Sequence, residues 1–512
     1  MRTPMTILAA LLVPAMLGAQ GNPASDAVRA YRTAHERAVV GELRDLVAIP
    51  NLAVDSANIE RNAAFLVGML ERRGLHPRLL RVPGSPPAVY GELRVPNATR
   101  TVVLYAHYDG QPPGPAAAWT TPPWEPVIRD RALSAGGAII RDTAAPLPAE
   151  ARLYGRSASD DKGGTMALLL ALDALRGAGL APDVNVKLFL DGEEEAGSPH
   201  LREMLKTHAA LLGADLWLLA DGPVHLSGRR QVVLGVRGTM GLELTVYGPT
   251  RALHSGHYGN WAPNPAAMLA TLLASLRDDE GRILVPHFMD DVVPVSAAER
   301  RALAALPAPD DSIRRTLSLG RTEGAPATLA ERIMAPAINL RGLRSGNVGA
   351  QAANAVPVDA QASIDFRLVP GQTPARVRAL VEAHLASRGW WVTHDSVTPA
   401  VRGAHARVAR LQWESGYPAT RASVTAPEVR AVVGALAALP DGAPLVVPTL
   451  GGSLPAFDIG DVLRVPLVIL PMANPDNNQH APDENLRLGN LWQGAETYAT
   501  LLARLGRSWP AR

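Results

Sequence analysis

The sequence predicts an α/β protein: a mainly parallel, helix-covered sheet with an α+β module inserted into the middle of the chain. Three observations carry this. Short apolar runs, such as Val102-Val103-Leu104-Tyr105 and Leu216-Trp217-Leu218-Leu219, alternate with segments of helical spacing, as in strands linked by covering helices. Between about residue 236 and about residue 410 the strand pattern changes to one of alternating, half-exposed positions. The first pattern then resumes and runs to the end of the chain. At 512 residues the chain is long enough for more than one core.

Taken in order, residues 1–19 read as a signal peptide. Arg2 supplies the positive start, 5–17 an apolar stretch too short to span a bilayer comfortably, and Leu17-Gly18-Ala19 a cleavage site before Gln20. An uncleaved anchor is the alternative. A secreted or periplasmic location follows from the signal. Residues 27–49 have helical spacing, with Val39, Leu43 and Val47 in register, and 61–73 form a second helix closed by Gly74. Residues 78–82, 88–93 and 101–105 read as strands, 132–151 as an exposed Ala/Pro-rich loop and 163–175 as a helix. Within the insertion, 241–247 and 360–369 alternate as strands, and 265–276 and 373–387 are helical. Strand and helix signals resume over 427–436, 445–447, 462–470 and 490–505. The catalytic part is therefore 20–235 plus 411–512, and 236–410 is the insertion.

Composition narrows the function. The 50 basic and 48 acidic residues balance, and no basic run is interleaved with aromatics, so the sequence points to no nucleic-acid partner. The chain has no cysteine, which excludes disulfides and thiolate ligands. Beyond the N-terminus no segment is apolar and long enough to cross a membrane.

Five polar segments follow apolar runs: His107-Tyr108-Asp109, Asp160-Asp161-Lys162-Gly163, Glu193-Glu194-Glu195, Asp221 and His480. In open α/β sheets ligands collect at the carboxyl ends of strands. Three carboxylates (Asp160, Glu195, Asp221) and two imidazoles (His107, His480) there suit two divalent ions, zinc first, with manganese or cobalt as alternatives. Two ions carry four positive charges against three carboxylates, which leaves room for one activated hydroxide. Asp109, two residues from His107 on an extended chain, is placed to fix the imidazole tautomer. A proton shuttle must stay off the ions, and Glu194 is the candidate. Singly, each segment has a plain alternative: a surface His-x-Asp pair, or a solvated Glu-rich helix face. Together they are hard to explain that way.

The residues 104–112 (Leu-Tyr-Ala-His-Tyr-Asp-Gly-Gln-Pro) and 122–126 (Pro-Pro-Trp-Glu-Pro) resemble the carnosine dipeptidase branch of the dinuclear zinc peptidases. That family also holds glutamate carboxypeptidase, aminoacylase and succinyl-diaminopimelate desuccinylase. Residues 153–163, 191–198, 253–259 (Leu-His-Ser-Gly-His-Tyr-Gly) and 451–455 (Gly-Gly-Ser-Leu-Pro) extend the resemblance over nearly all of the mature chain. It implies that His107, Asp160 and Asp221 bind one metal and Asp160, Glu195 and His480 the other, with Asp160 bridging. It implies Glu194 as general base and Asp109 as the residue that orients His107. The insertion would be a lid and dimerisation domain. From it His254 would polarise the scissile carbonyl, often in the partner subunit's site, and Arg367 would clamp a free carboxylate. Asn354 and Ser453 match substrate-contacting positions. Four features depart from the family pattern: the long loop 133–152, Ser157 for a common glycine, Gly110 for a common valine, and Asn260-Trp261 for a small pair.

The expected protein is an exported homodimeric two-metal hydrolase that cleaves an amide bond next to a free carboxylate, as a dipeptidase or short-peptide carboxypeptidase. An N-acyl-amino-acid deacylase is the alternative. A non-catalytic metal- or peptide-binding protein is the remote one, disfavoured because binding alone has no use for an unliganded Glu194. The serine-hydrolase reading fails, because Gly155-Arg156-Ser157-Ala158-Ser159 lacks the nucleophile-elbow spacing.

Overall fold

The computed structural model describes residues 21–141 and 146–509. The targeting segment read at 1–19 lies outside the described residues, as does part of the loop 133–152.

The large sheet has eight strands. From one edge to the other they are Arg78–Leu80, Ala88–Leu93, Asn185–Asp191, Thr101–His107, Leu216–Leu219, Leu467–Ile469, Gln231–Val233 and Leu445–Val447. The four central strands run parallel to one another. Their sequences are almost continuously apolar because both faces are covered. Val102, Leu104 and Ala106 face one core and Val103 and Tyr105 the other, as a period of two requires. Helices Pro23–Val47, Ser56–Arg72, Lys162–Gly177, Pro427–Leu436 and Leu488–Ser508 cover the first face. Leu201–Thr207 and Ala456–Leu463 cover the second.

The sheet is more mixed than the sequence predicts. Arg78–Leu80 pairs antiparallel with Ala88–Leu93, which pairs antiparallel with Asn185–Asp191. The link from Leu80 to Ala88 is too short for a crossover helix, so that pair can only be a hairpin. At the other side Gln231–Val233 meets Leu467–Ile469 antiparallel.

Two further expectations need correction. The apolar run read as one element at 462–470 holds parts of two: helix Ala456–Leu463 ends at Arg464, whose φ is +53°, and the strand is only Leu467–Ile469. Ala456, Ile459 and Leu463 share one helical face toward the core, a spacing hidden by the continuous apolar stretch. The loop 132–151 is not wholly exposed either. Leu147 and Ala151 are buried in it, and the Leu147 amide donates to Glu36 Oε2 at 2.7 Å.

The insertion builds its own five-stranded sheet, ordered Ala337–Arg344, Asp359–Leu368, Gly238–Tyr247, Val408–Trp413 and Trp391–Thr393. Helices Pro265–Leu276 and Pro374–Ser387 pack on it around a separate core that contains Leu242, Ile364, Phe366 and Val381. Ala337–Arg344 is an edge strand, paired on one side only among the described residues, with Leu340 and Leu343 exposed.

Candidate metal centre

Three adjacent parallel strands end side by side. His107 lies opposite Asp191, and Tyr105 opposite Leu219. The chain that follows Asp191 carries Glu193–Glu195, and the chain that follows Leu219 carries Asp221. The register of the sheet therefore brings His107, Glu194, Glu195 and Asp221 to one rim, the position where α/β sheets bind ligands.

Asp160 and His480 arrive differently. Asp160 does not follow a strand of the large sheet. It sits in the turn between Arg152–Tyr154, part of a small three-stranded sheet, and helix Lys162–Gly177. His480 lies in the loop between Leu467–Ile469 and Asn485–Arg487. Asn485 pairs with Tyr154, so these two loops are tied at their bases.

The result is two sets of donors sharing one carboxylate. Ligand atoms of His107, Asp160 and Asp221 lie within 4.8 Å of one another, and so do those of Asp160, Glu195 and His480. His107 Nε2 is 2.9 Å from Asp160 Oδ1, and His480 Nε2 is 3.1 Å from Asp160 Oδ2. Each oxygen of Asp160 thus faces a different set. His480 Nε2 is also 3.3 Å from Glu195 Oε2. His107 is fully buried, while His480 is half exposed at the cleft.

The electrostatics favour cations. Burial, with the charges of Asp160 and Glu195, pushes the Asp221 carboxyl up to about 7. Burial also raises Glu194 well above the usual carboxylate range, assisted by Asp221 and Glu195 and opposed by His107. Burial would raise Asp160 as well, but hydrogen bonds with His107 and His480 override it and hold it low. Hydrogen bonds to Asp160 and Glu195 push His480 up to about 10. So much crowded negative charge needs positive charge to balance it. An all-oxygen-and-nitrogen donor set at this spacing fits two divalent ions.

Asp109 does two things. Its Oδ1 is 3.3 Å from His107 Nδ1, and its two oxygens accept the amides of Glu194 and Glu195, both at 3.0 Å. One buried carboxylate therefore sets both the imidazole and the turn Glu194–Ala196. Glu194 Oε2 stands 3.9 Å from His107 Nε2, beside the donors.

Sequence reasoning assigned nothing to Glu484, which organises the Asp160 turn. Its carboxylate, 1% exposed, accepts from the amides of Ser157, Ser159 and Asp160 at 2.9, 3.0 and 3.1 Å. It also accepts from Ser159 Oγ at 2.9 Å and Arg156 Nη1 at 2.8 Å. It is over three hundred residues away in sequence, so no local pattern reveals it. Gln111 and Gln479 were missed too: their amides donate to Glu195 Oε2 and Asp160 Oδ2.

The departures at Gly110 and Ser157 are one steric exchange. Ser157 has φ +62°, a conformation glycine adopts freely. Its hydroxyl accepts from Asn51 Nδ2 at 3.0 Å. A Cβ on Gly110 would lie 2.1 Å from that hydroxyl. The serine is accommodated because position 110 has no side chain.

A cleft of about 460 Å³ opens over the donors. Asp160, Glu194, Glu195, Asp221, Tyr417, Ser453 and His480 line it. Arg367 reaches its edge, with Nη1 donating to Ser453 Oγ at 2.9 Å and Nε to Asp365 Oδ2 at 2.9 Å. The structure does not bring His254 or Asn354 into this cleft. They neighbour each other on the insertion, where Ser255 N donates to Asn354 O at 2.8 Å, and both are exposed. The His254 ring accepts from Gly256 N and lies 4.4 Å from that of His257.

The model of peptidase family M20/M25/M40 matches residues 103–504. The Cys-Gly metallodipeptidase dug1 of Schizosaccharomyces pombe is 23% identical over 92% of this chain and 96% of its own. The human Beta-Ala-His dipeptidase is 24% identical over 98% of this chain and 97% of its own. Among solved structures, an M20 family metallo-carboxypeptidase from Sulfolobus solfataricus has a TM-score of 0.75 at 27% identity, covering 92% of this chain and 99% of that one. Human carnosine dipeptidase 1 has a TM-score of 0.72 at 22% identity, covering 94% and 99%, a likeness of fold.

Asp160→Ala is expected to lose both ions together, measured by elemental analysis after dialysis. A variant that keeps two ions per chain contradicts the shared-carboxylate geometry. Gly110→Val is expected to cost about 1–3 kcal/mol in urea unfolding, the usual range for overpacking. Adding Ser157→Gly should recover about 1 kcal/mol or more of that loss; simple additivity of the two changes would mean that they do not touch.

Proposed function

The chain belongs to peptidase family M20/M25/M40, and from that premise we propose that this metallopeptidase is a dipeptidase that cleaves a peptide bond next to a free carboxylate. One observation carries the reading: a single cleft joins a shared-carboxylate donor set, an adjacent carboxylate outside both donor triads (Glu194), and Ser453, whose hydroxyl accepts from Arg367 at the cleft edge. The relatives named for Cys-Gly and Beta-Ala-His dipeptides support it. The site would take two divalent ions, zinc first, whose chemistry is Lewis acidity and an acidified water.

The chain's own residues divide the work. Glu194 takes the proton of the attacking water and delivers it to the leaving amine. Asp109 holds His107 in one tautomer and fixes the turn that carries Glu194. Arg367 presents a guanidinium to the substrate carboxylate, which it can bind bidentately. His254 donates to the developing oxyanion. Because His254 is exposed and outside the cleft, we infer that a partner subunit supplies it in a homodimer formed through residues 236–410. The one-sided edge strand Ala337–Arg344, with exposed Leu340 and Leu343, supports that assembly. The 1–19 segment supports export to the periplasm or medium. The same site would serve an N-acyl amino acid, so a parallel screen of dipeptides and N-acetyl amino acids decides between the two; turnover of the second set alone would reverse the assignment.

Glu194→Gln should keep the full metal content and lose about 10²–10⁴ in kcat. Loss of metal instead would make Glu194 a ligand and move the base to a neighbour. His254→Ala should keep metal and fold but lose about 10²–10³ in kcat. Mixing these two inactive variants under subunit exchange should return roughly a quarter of wild-type activity, since about half the dimers are hybrids with one competent site. No recovery in mixtures shown to exchange would place His254 within its own chain's site or outside the reaction.

A further inference from the structure

We propose that a second, apolar cavity beside the cleft receives the side chain of the substrate's carboxyl-terminal residue and selects bulky apolar side chains. The proposal rests on the dipeptidase reading and deepens it.

The cavity holds about 210 Å³. One wall belongs to the catalytic part, through Val224, Val447 and Leu450. The other belongs to the insertion, through Leu303, Leu306 and Ile333. Pro223 and Leu450 line both this cavity and the cleft, so the two spaces adjoin. Its volume is below the ~300–1,000 Å³ typical of pockets that hold a whole small molecule. It suits one large side chain.

Continuity along the chain decides which side chain. Thr449, Leu450 and Gly451 line the cavity, and two residues further Ser453 accepts from Arg367. Arg237 fixes this segment from the other side, with Nε and Nη2 donating to Gly451 O at 3.0 and 2.9 Å. A substrate whose carboxylate meets Arg367 would hold that same residue's side chain over Leu450. The insertion wall is held in place: Arg421 Nε is 2.8 Å from Glu299 Oε1 in helix Ala297–Ala304, with both side chains buried.

His225, Gln231, Asp310 and Thr328 also line the cavity, but apolar side chains predominate.

The test compares Ala-Gly, Ala-Leu and Ala-Phe on the metal-loaded full chain. Wild type should show kcat/KM at least about 10-fold higher for Ala-Leu and Ala-Phe than for Ala-Gly, the scale of a filled apolar pocket. Ala330→Phe and, separately, Ala308→Phe fill the cavity from the insertion wall. Each should remove that advantage while Ala-Gly stays within about twofold and metal content is unchanged. A wild type that cleaves dipeptides with selectivity unmoved by both variants overturns the pocket alone. Variants that depress Ala-Gly as much as Ala-Leu also overturn it. A wild type that cleaves none of the three overturns the dipeptidase reading and the pocket with it.

Discussion

The site depends on the burial of Asp160 between two histidines from opposite ends of the chain. A carboxylate taken out of water must be met by charge and hydrogen bonds from every side. Its two oxygens face His107 and His480, and its backbone amide is held by Glu484. Each of those partners needs support in turn. His107 is set by Asp109, which also carries the Glu194–Glu195 turn. Glu484 is met by Arg156 and the serines around it. Next to Asp160, Lys162 is buried as well, and its ammonium donates to the carbonyls of Leu46 and Ile49 at 2.8 and 2.9 Å. Those carbonyls close the end of the first helix, so the polar network reaches into the helical layer.

The two sheets have different tasks. The large sheet, buried on both faces, supplies a rigid rim where strand register sets donor positions. The insertion has its own core and meets the catalytic part through contacts such as Arg367 with Ser453 and Arg421 with Glu299. His254 and Asn354 lie away from the cleft although the donor set is already assembled.

Much of the fold was legible because its signals are local. The central strands are apolar on both faces, and the helices 265–276 and 427–436 begin at proline and end where their apolar spacing ends. Errors fell where two local signals overlapped. The run 462–470 is apolar throughout, so a helix end and a strand read as one element. The antiparallel outer strands followed from a short link that propensity does not weigh.

The sequence by itself determined the donor inventory: two imidazoles, three carboxylates, a spare glutamate, and the motifs that assign the family. Residue type and spacing along one strand or turn are properties of the chain alone. Tertiary structure decided how the Asp160 turn is held, because that depends on two loops more than three hundred residues apart being tied by Glu484. It also decided that Gly110 makes room for Ser157 and that an apolar cavity lies beside the cleft. These are matters of close packing between distant segments, and no period or motif along the chain encodes them.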